Sequence, residues 1–244
     1  MTMAVDGGFH RRIRISPYPD RVVVGLEDNL HFFAMELAHS DGEISDLRMR
    51  MERYPWNICA GASAFLRQGL VGRKLDELPQ IDISQHCTHL FELAVLCAAH
   101  TDDQSPVQYD LHVDDWVANR TAVRLLIDNR LVLDLKVHGT IVETPGEWFG
   151  RDVFQLSQSL QEGDAANREK AMLVARAIYV SLGRAAPMVD RAVERGPRIL
   201  GVCYSYQPAR VEEAARVPHS RREFSEPSRQ PLEDFDPQAC FATL

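Results

Sequence analysis

The 244 residues, 45% hydrophobic and 25% charged, can bury a sizeable core and fall in the ordinary globular range. A net charge of −8 and a pI near 5.6 argue against a general nucleic-acid role, because phosphate binding needs a basic stripe. No signal-peptide core opens the chain, no apolar run approaches the ~20 residues that span a bilayer, and five irregularly spaced cysteines suit a reducing compartment. The expectation is a cytoplasmic chain with no membrane segment and free thiols.

Val- and Ile-rich runs at Arg11 to Ile15 and Arg21 to Leu26, parted by Pro17-Tyr18-Pro19, predict two strands. His31 to Ala38 and Glu43 to Met51 predict a hairpin turning at Ser40-Asp41-Gly42. Beyond Tyr54-Pro55-Trp56 the spacing of Ala60, Ala64, Phe65 and Leu70 becomes helical, with Cys59 at the junction. A second helix is expected from an N-cap at Ser84 to about His100. Strands return at Tyr109 to Val113, Thr121 to Ile127 and Leu131 to Val142, followed by helices over Phe154 to Leu160 and Ala171 to Leu182. The fold class is therefore α+β, antiparallel sheets packed with helices, and the order strands then helices recurs as a pseudo-repeat. The expected division is 1–104, 105–200 and an extended, Pro-rich tail over 201–244 that wraps the body or contacts a partner.

Cys87 falls in the first turn of the second predicted helix, where free amides and the positive dipole end favour a thiolate. His86 and His89 flank it. Zinc or iron takes about four N, S or O ligands, which Cys59, His86, Cys87 and the Asp28 carboxylate would supply. The alternative is that both cysteines are small buried hydrophobes beside satisfied imidazoles. A second group, His100, Asp102, Asp103, Tyr109, His112, Asp114 and Asp115, holds the residue types of a carboxylate-oriented base with an acid, or else is solvated loop. Glu27, Asp28 and His31 either face the Cys59 junction or cap a strand edge with charge. Gly-x-Ser-x-Gly, a phosphate-binding Gly-Lys-Thr loop, a dinucleotide Gly fingerprint and His-Glu-x-x-His do not occur, so no nucleotide cofactor is expected.

Glu27-Asp28-Asn29-Leu30-His31-Phe32, Tyr54-Pro55-Trp56 to Cys59-Ala60-Gly61-Ala62, Cys87-Thr88-His89-Leu90-Phe91-Glu92-Leu93-Ala94 with His100, Cys203 with Gln207-Pro208, and Arg222-Glu223-Phe224-Ser225 together resemble the bacterial DUF2889 family, which has no assigned function. The resemblance implies a catabolic role, since such proteins are common in bacteria that degrade aromatic compounds and steroids. Residues 27–100 are also similar to iron–sulfur scaffold proteins of the NifU and IscU type, with Cys59, His86 and Cys87 on scaffold ligand positions. The scaffold's first cysteine is replaced by the Glu27 to Asn29 region, which leaves a mixed-ligand mononuclear site or a reused pocket.

Three readings stay open, in this order. The first is a small-molecule enzyme, a lyase favoured over a hydrolase, using His89, His100, Tyr109, Asp114 and Cys87, for example in retro-aldol release of formaldehyde from a phenolic dimer. The second is a scaffold or delivery protein holding zinc or iron on Asp28, Cys59, His86 and Cys87. The third is a subunit that docks by its tail. The expected partner is a small-molecule substrate, not nucleic acid or membrane, and a homo-oligomer is left open.

Overall fold

The computed structural model describes residues 7–156, 164–224 and 229–242, and the expected α+β class holds. The strands are β1 (Phe9–Tyr18), β2 (Arg21–Asp28), β3 (Phe32–Ser40), β4 (Glu43–Arg53), β5 (Val107–Val113), β6 (Arg120–Ile127), β7 (Arg130–His138) and β8 (Ile141–Val142), in one antiparallel sheet of order β4-β3-β2-β1-β5-β6-β7-β8. The helices among the described residues are α1 (Ala62–Leu70), α2 (Thr88–Ala99) and α3 (Ala165–Ala185). The strand expected over Leu131 to Val142 breaks in two because Gly139 takes a left-handed φ of 61° and turns the chain. Of the helix expected over Phe154 to Leu160, residues 157–160 lie outside the described residues. Among the described residues no helix is long and apolar enough to cross a membrane.

The chain divides into two compact units. One comprises Ile13–Val107, Met188–Arg222 and Leu232–Leu244, the other Met1–Arg12, Gln108–Pro187 and Glu223–Pro231. Each unit is assembled from three separate stretches of chain, and the segment beyond residue 200 is divided between both.

In the first of these units the β3–β4 hairpin turns at Asp41 and Gly42, with φ of 53° and 78°, the pair of positive angles that a two-residue reversal between twisted strands requires. β2 is buried at every position after Arg21, so both of its faces are covered. Helix α2, itself buried at nine of twelve residues, packs on β2 and β3. On another part of these strands Val23 and Ala34 pack with Leu232, Phe235 and Phe241. That last segment, expected to be extended chain that wraps the body or contacts a partner, packs on this unit as a strap: Arg48 donates to the Phe241 carbonyl (3.1 Å) and Arg50 to that of Cys240 (2.9 Å). Gly25 makes the strap possible. A Cβ there would stand 2.6 Å from the Phe235 ring.

The β2–β3 connection is a buried polar corner rather than an exposed loop. Asp28 N donates to the His31 carbonyl (2.8 Å), closing the turn. A bulge in β4 between the partners of Phe32 and Phe33 shifts the strand's alternation, and Arg53 then reaches Glu27 Oε1 (2.8 Å) and the carbonyls of Asp28 (2.7 Å) and His31 (3.2 Å). Glu27 also accepts from Arg222 (2.9 Å) and from the Leu232 amide (2.7 Å), and Asn29 exchanges two hydrogen bonds with the Arg222 backbone.

Gly25→Val overpacks the contact with Phe235 and is expected to destabilise the protein by about 1–3 kcal/mol. Chemical denaturation monitored by circular dichroism measures this; an unchanged midpoint would mean that the strap does not bear on β2.

Candidate functional site

The buried corner puts Asp28 at the end of β2 and His31 just before β3, while the first turn of α2 brings His89 against them. Asp28 is 0% exposed and the two histidines 8% each. Oδ1 of Asp28 accepts from the amides of Leu30 and His31, both at 2.8 Å, which sets the plane of the carboxylate. His31 Nδ1 then lies 3.1 Å from Oδ1 and 3.4 Å from Oδ2. The His31 and His89 rings stack 3.9 Å apart at 31°, and Phe33 stands edge-on to both, at 5.4 and 6.1 Å. One carboxylate oxygen and one nitrogen from each imidazole fall within 4.8 Å of one another, a group that could hold an ion among the described residues.

The expected metal set is dispersed differently. Asp28 joins His31 and His89, while Cys59 and Cys87 form a thiol neighbourhood with Cys203. Cys59 sits in a 3-10 turn, Asn57–Gly61, with Sγ 3.1 Å from Ser205 Oγ. Cys87 is the residue that caps α2. Burial pushes the Cys87 thiol up to about 12, helped by the charges that Cys203 and Cys59 would carry, and the His89 and Leu90 amides pull the other way without winning. Burial likewise raises Cys59 to about 11. The dipole argument for a Cys87 thiolate is thus overruled by desolvation.

His86 points elsewhere again. Its ring packs on Phe65 (5.2 Å) and Phe91 (5.5 Å), in space left by Gly69 of α1, and burial lowers its pKa. Its carbonyl receives the Tyr204 amide (2.9 Å), which seats the Cys203-to-Gln207 segment over the α2 start. His100 is remote from His89: it caps the other end of α2, eleven residues or about 16 Å of helix rise away, and its Nδ1 pairs with Asp103 (2.7 Å).

Tyr109 and Asp114 belong to the other unit. Tyr109 donates to Glu169 (2.6 Å), and Asp114 pairs with Arg124 and with His112 Nδ1 (3.2 Å). His112 meets His10 edge to face at 4.3 Å. Burial, then His112, Arg184, Arg124 and Arg12, hold the His10 pKa down to about 3.

Sequence reasoning singled out His31 only as facing the Cys59 junction or capping a strand edge, and gave it neither a catalytic nor a metal role. The signal for it is the Glu-Asp-Asn-x-His quartet in a connection too polar to be buried without partners. No family model and no curated protein matches the chain.

Two outcomes follow from the titrations. Iodoacetamide labelling at pH 8, read by mass spectrometry, should modify Cys59 and Cys87 more slowly in the native than in the unfolded protein; equal rates would contradict their raised pKa values. For His10, the unfolded ring titrates near 6.5 and the folded ring near 3, so the unfolded chain takes a proton that the native state refuses. Stability present above pH 6.5 is lost progressively as pH falls from there toward about 3. The slope of Tm against pH in that window should flatten in His10→Asn, and an unaltered slope would refute this.

Proposed function

We propose that the protein is a small-molecule enzyme, a lyase that breaks a C–C or C–O bond by acid/base chemistry centred on Asp28, His31 and His89. The observation that supports this reading above others is the buried contact between the Asp28 carboxylate and His31 Nδ1 at 3.1 Å. A carboxylate on Nδ1 favours the tautomer whose Nε2 is basic, the arrangement by which an imidazole becomes an oriented general base. His89, stacked on His31, is the second proton-transfer group. In a retro-aldol step the base removes the proton of a hydroxymethyl oxygen and the adjacent C–C bond breaks. Formaldehyde leaves, the electron pair stays on the neighbouring carbon, and an acid protonates that carbon.

The substrate class is aromatic or otherwise hydrophobic. Phe33 beside both imidazoles favours it, and so does the resemblance to the DUF2889 family with its association with aromatic catabolism. The five free thiols fit the cytoplasm as the place where it works.

Incubation with hydroxymethyl-bearing phenolic dimers and assay of released formaldehyde tests the reading. His31→Ala and His89→Ala should each lower turnover by about 100-fold or more, the ordinary scale for a lost acid or base, while His100→Ala at the far end of α2 leaves it unchanged. Turnover that survives both substitutions rules the site out.

A further inference from the structure

We propose that Asp28, His31 and His89 bind one divalent transition-metal ion, zinc or ferrous iron, with coordination positions left open to water or to a substrate oxygen. The inference concerns the same three side chains as the lyase reading; a bound ion takes the place of the proton between His31 Nδ1 and Asp28, and the test separates the two.

The geometry is that of a ligand set. Two donors each about 2.0–2.1 Å from a tetrahedral zinc stand about 3.3 Å apart. His31 Nδ1 lies 3.1 and 3.4 Å from the two Asp28 oxygens, which brackets that separation. The His89 nitrogen completes a group whose members all fall within 4.8 Å, so a single ion reaches all three with small side-chain adjustments. Each donor is more than nine-tenths buried, and burial of a carboxylate with two imidazoles makes sense for a partner that carries charge.

Chemistry of the donors narrows the ion. Two nitrogens and one oxygen suit zinc or ferrous iron, whereas magnesium and calcium take all-oxygen shells. Three protein ligands, rather than four, is the number that leaves a catalytic metal an open position. The surroundings already orient the ligands. Asp28 Oδ1 is held by two backbone amides, and the carbonyls of Asp28 and His31 are held by Arg53, whose charge is matched by Glu27. No cysteine is needed, which sets this site apart from the Cys59, Cys87 and Cys203 neighbourhood.

The experiment uses the full chain, stripped with chelator and titrated with Co²⁺ while the visible spectrum is recorded, and with Zn²⁺ by calorimetry. One equivalent of each should bind. The Co²⁺ complex should show d–d bands without the near-ultraviolet charge transfer that thiolate ligands cause. His31→Gln and His89→Gln, checked for folding by circular dichroism, should weaken binding by at least about 100-fold, and Cys59→Ser with Cys87→Ser should not. No stoichiometric binding, a thiolate charge-transfer band, or undiminished affinity in both histidine variants overturns the proposal, and the first two outcomes are read on the wild-type protein whatever the variants do. Formaldehyde release that persists in stripped protein, with no metal bound on titration, overturns the metal and leaves the lyase standing. A bound ion with no turnover of the substrate panel does the reverse.

Discussion

Everything at the β2–β3 corner depends on one buried carboxylate, that of Glu27. Its two oxygens accept from Arg53, from Arg222 and from the Leu232 amide, tying together strands β2 and β4 and two late segments of the chain. Removing one partner of such a buried pair costs about 3–5 kcal/mol, a large share of the stability of an ordinary domain, because an uncompensated charge is left behind. Arg53 transmits the constraint to the turn itself by binding the carbonyls of Asp28 and His31. The orientation of Asp28 and His31 is therefore a property of the corner, and neither residue could be aimed by its own rotamer preferences.

Two kinds of titratable group share the start of α2, and burial treats them oppositely with respect to chemistry. For the thiols of Cys59 and Cys87 it suppresses the nucleophilic form, and a helix end with its amides does not compensate. For Asp28, His31 and His89 it brings complementary donors and acceptors into contact, where a low local dielectric strengthens each interaction. The imidazoles, not the sulfurs, are the groups proposed here for proton or ion traffic.

Much of this architecture is legible in the chain. The Asp41-Gly42 reversal, the Val-rich strands and the apolar run of α2 follow from local preferences, and they agree with the fold. The start of α2 was less accessible. Ser84 reads as an N-cap, yet Asp82 accepts its amide (2.9 Å), a short 3-10 turn forms over Ile83–Gln85, and the chain extends through His86 before Cys87 begins the helix. Asp28 and His89 could be named as candidates from residue type, but their pairing with His31 could not, because it comes from a strand corner meeting a helix some sixty residues later, a contact that periodicity does not encode. Nearness in sequence groups His100, Tyr109 and Asp114, whereas α2 carries His100 away from His89 and Tyr109 and Asp114 are counted in the other unit.

The Phe235 strap has a kinetic meaning. Leu232 and Glu27 are 205 positions apart, and Arg48 and Phe241 are 193 apart, so the contacts that finish the first unit are among the most non-local the chain can make. Loop-closure entropy opposes such contacts until the strands and helices between them are in place. On the ribosome β2 and β3 emerge long before Leu232 does, and in that interval Val23 and Ala34 present an apolar strip beside a carboxylate with few of its final partners. Until Leu232 is made, Glu27 lacks one of its hydrogen-bond donors and Val23 and Ala34 lack the cover of Phe235.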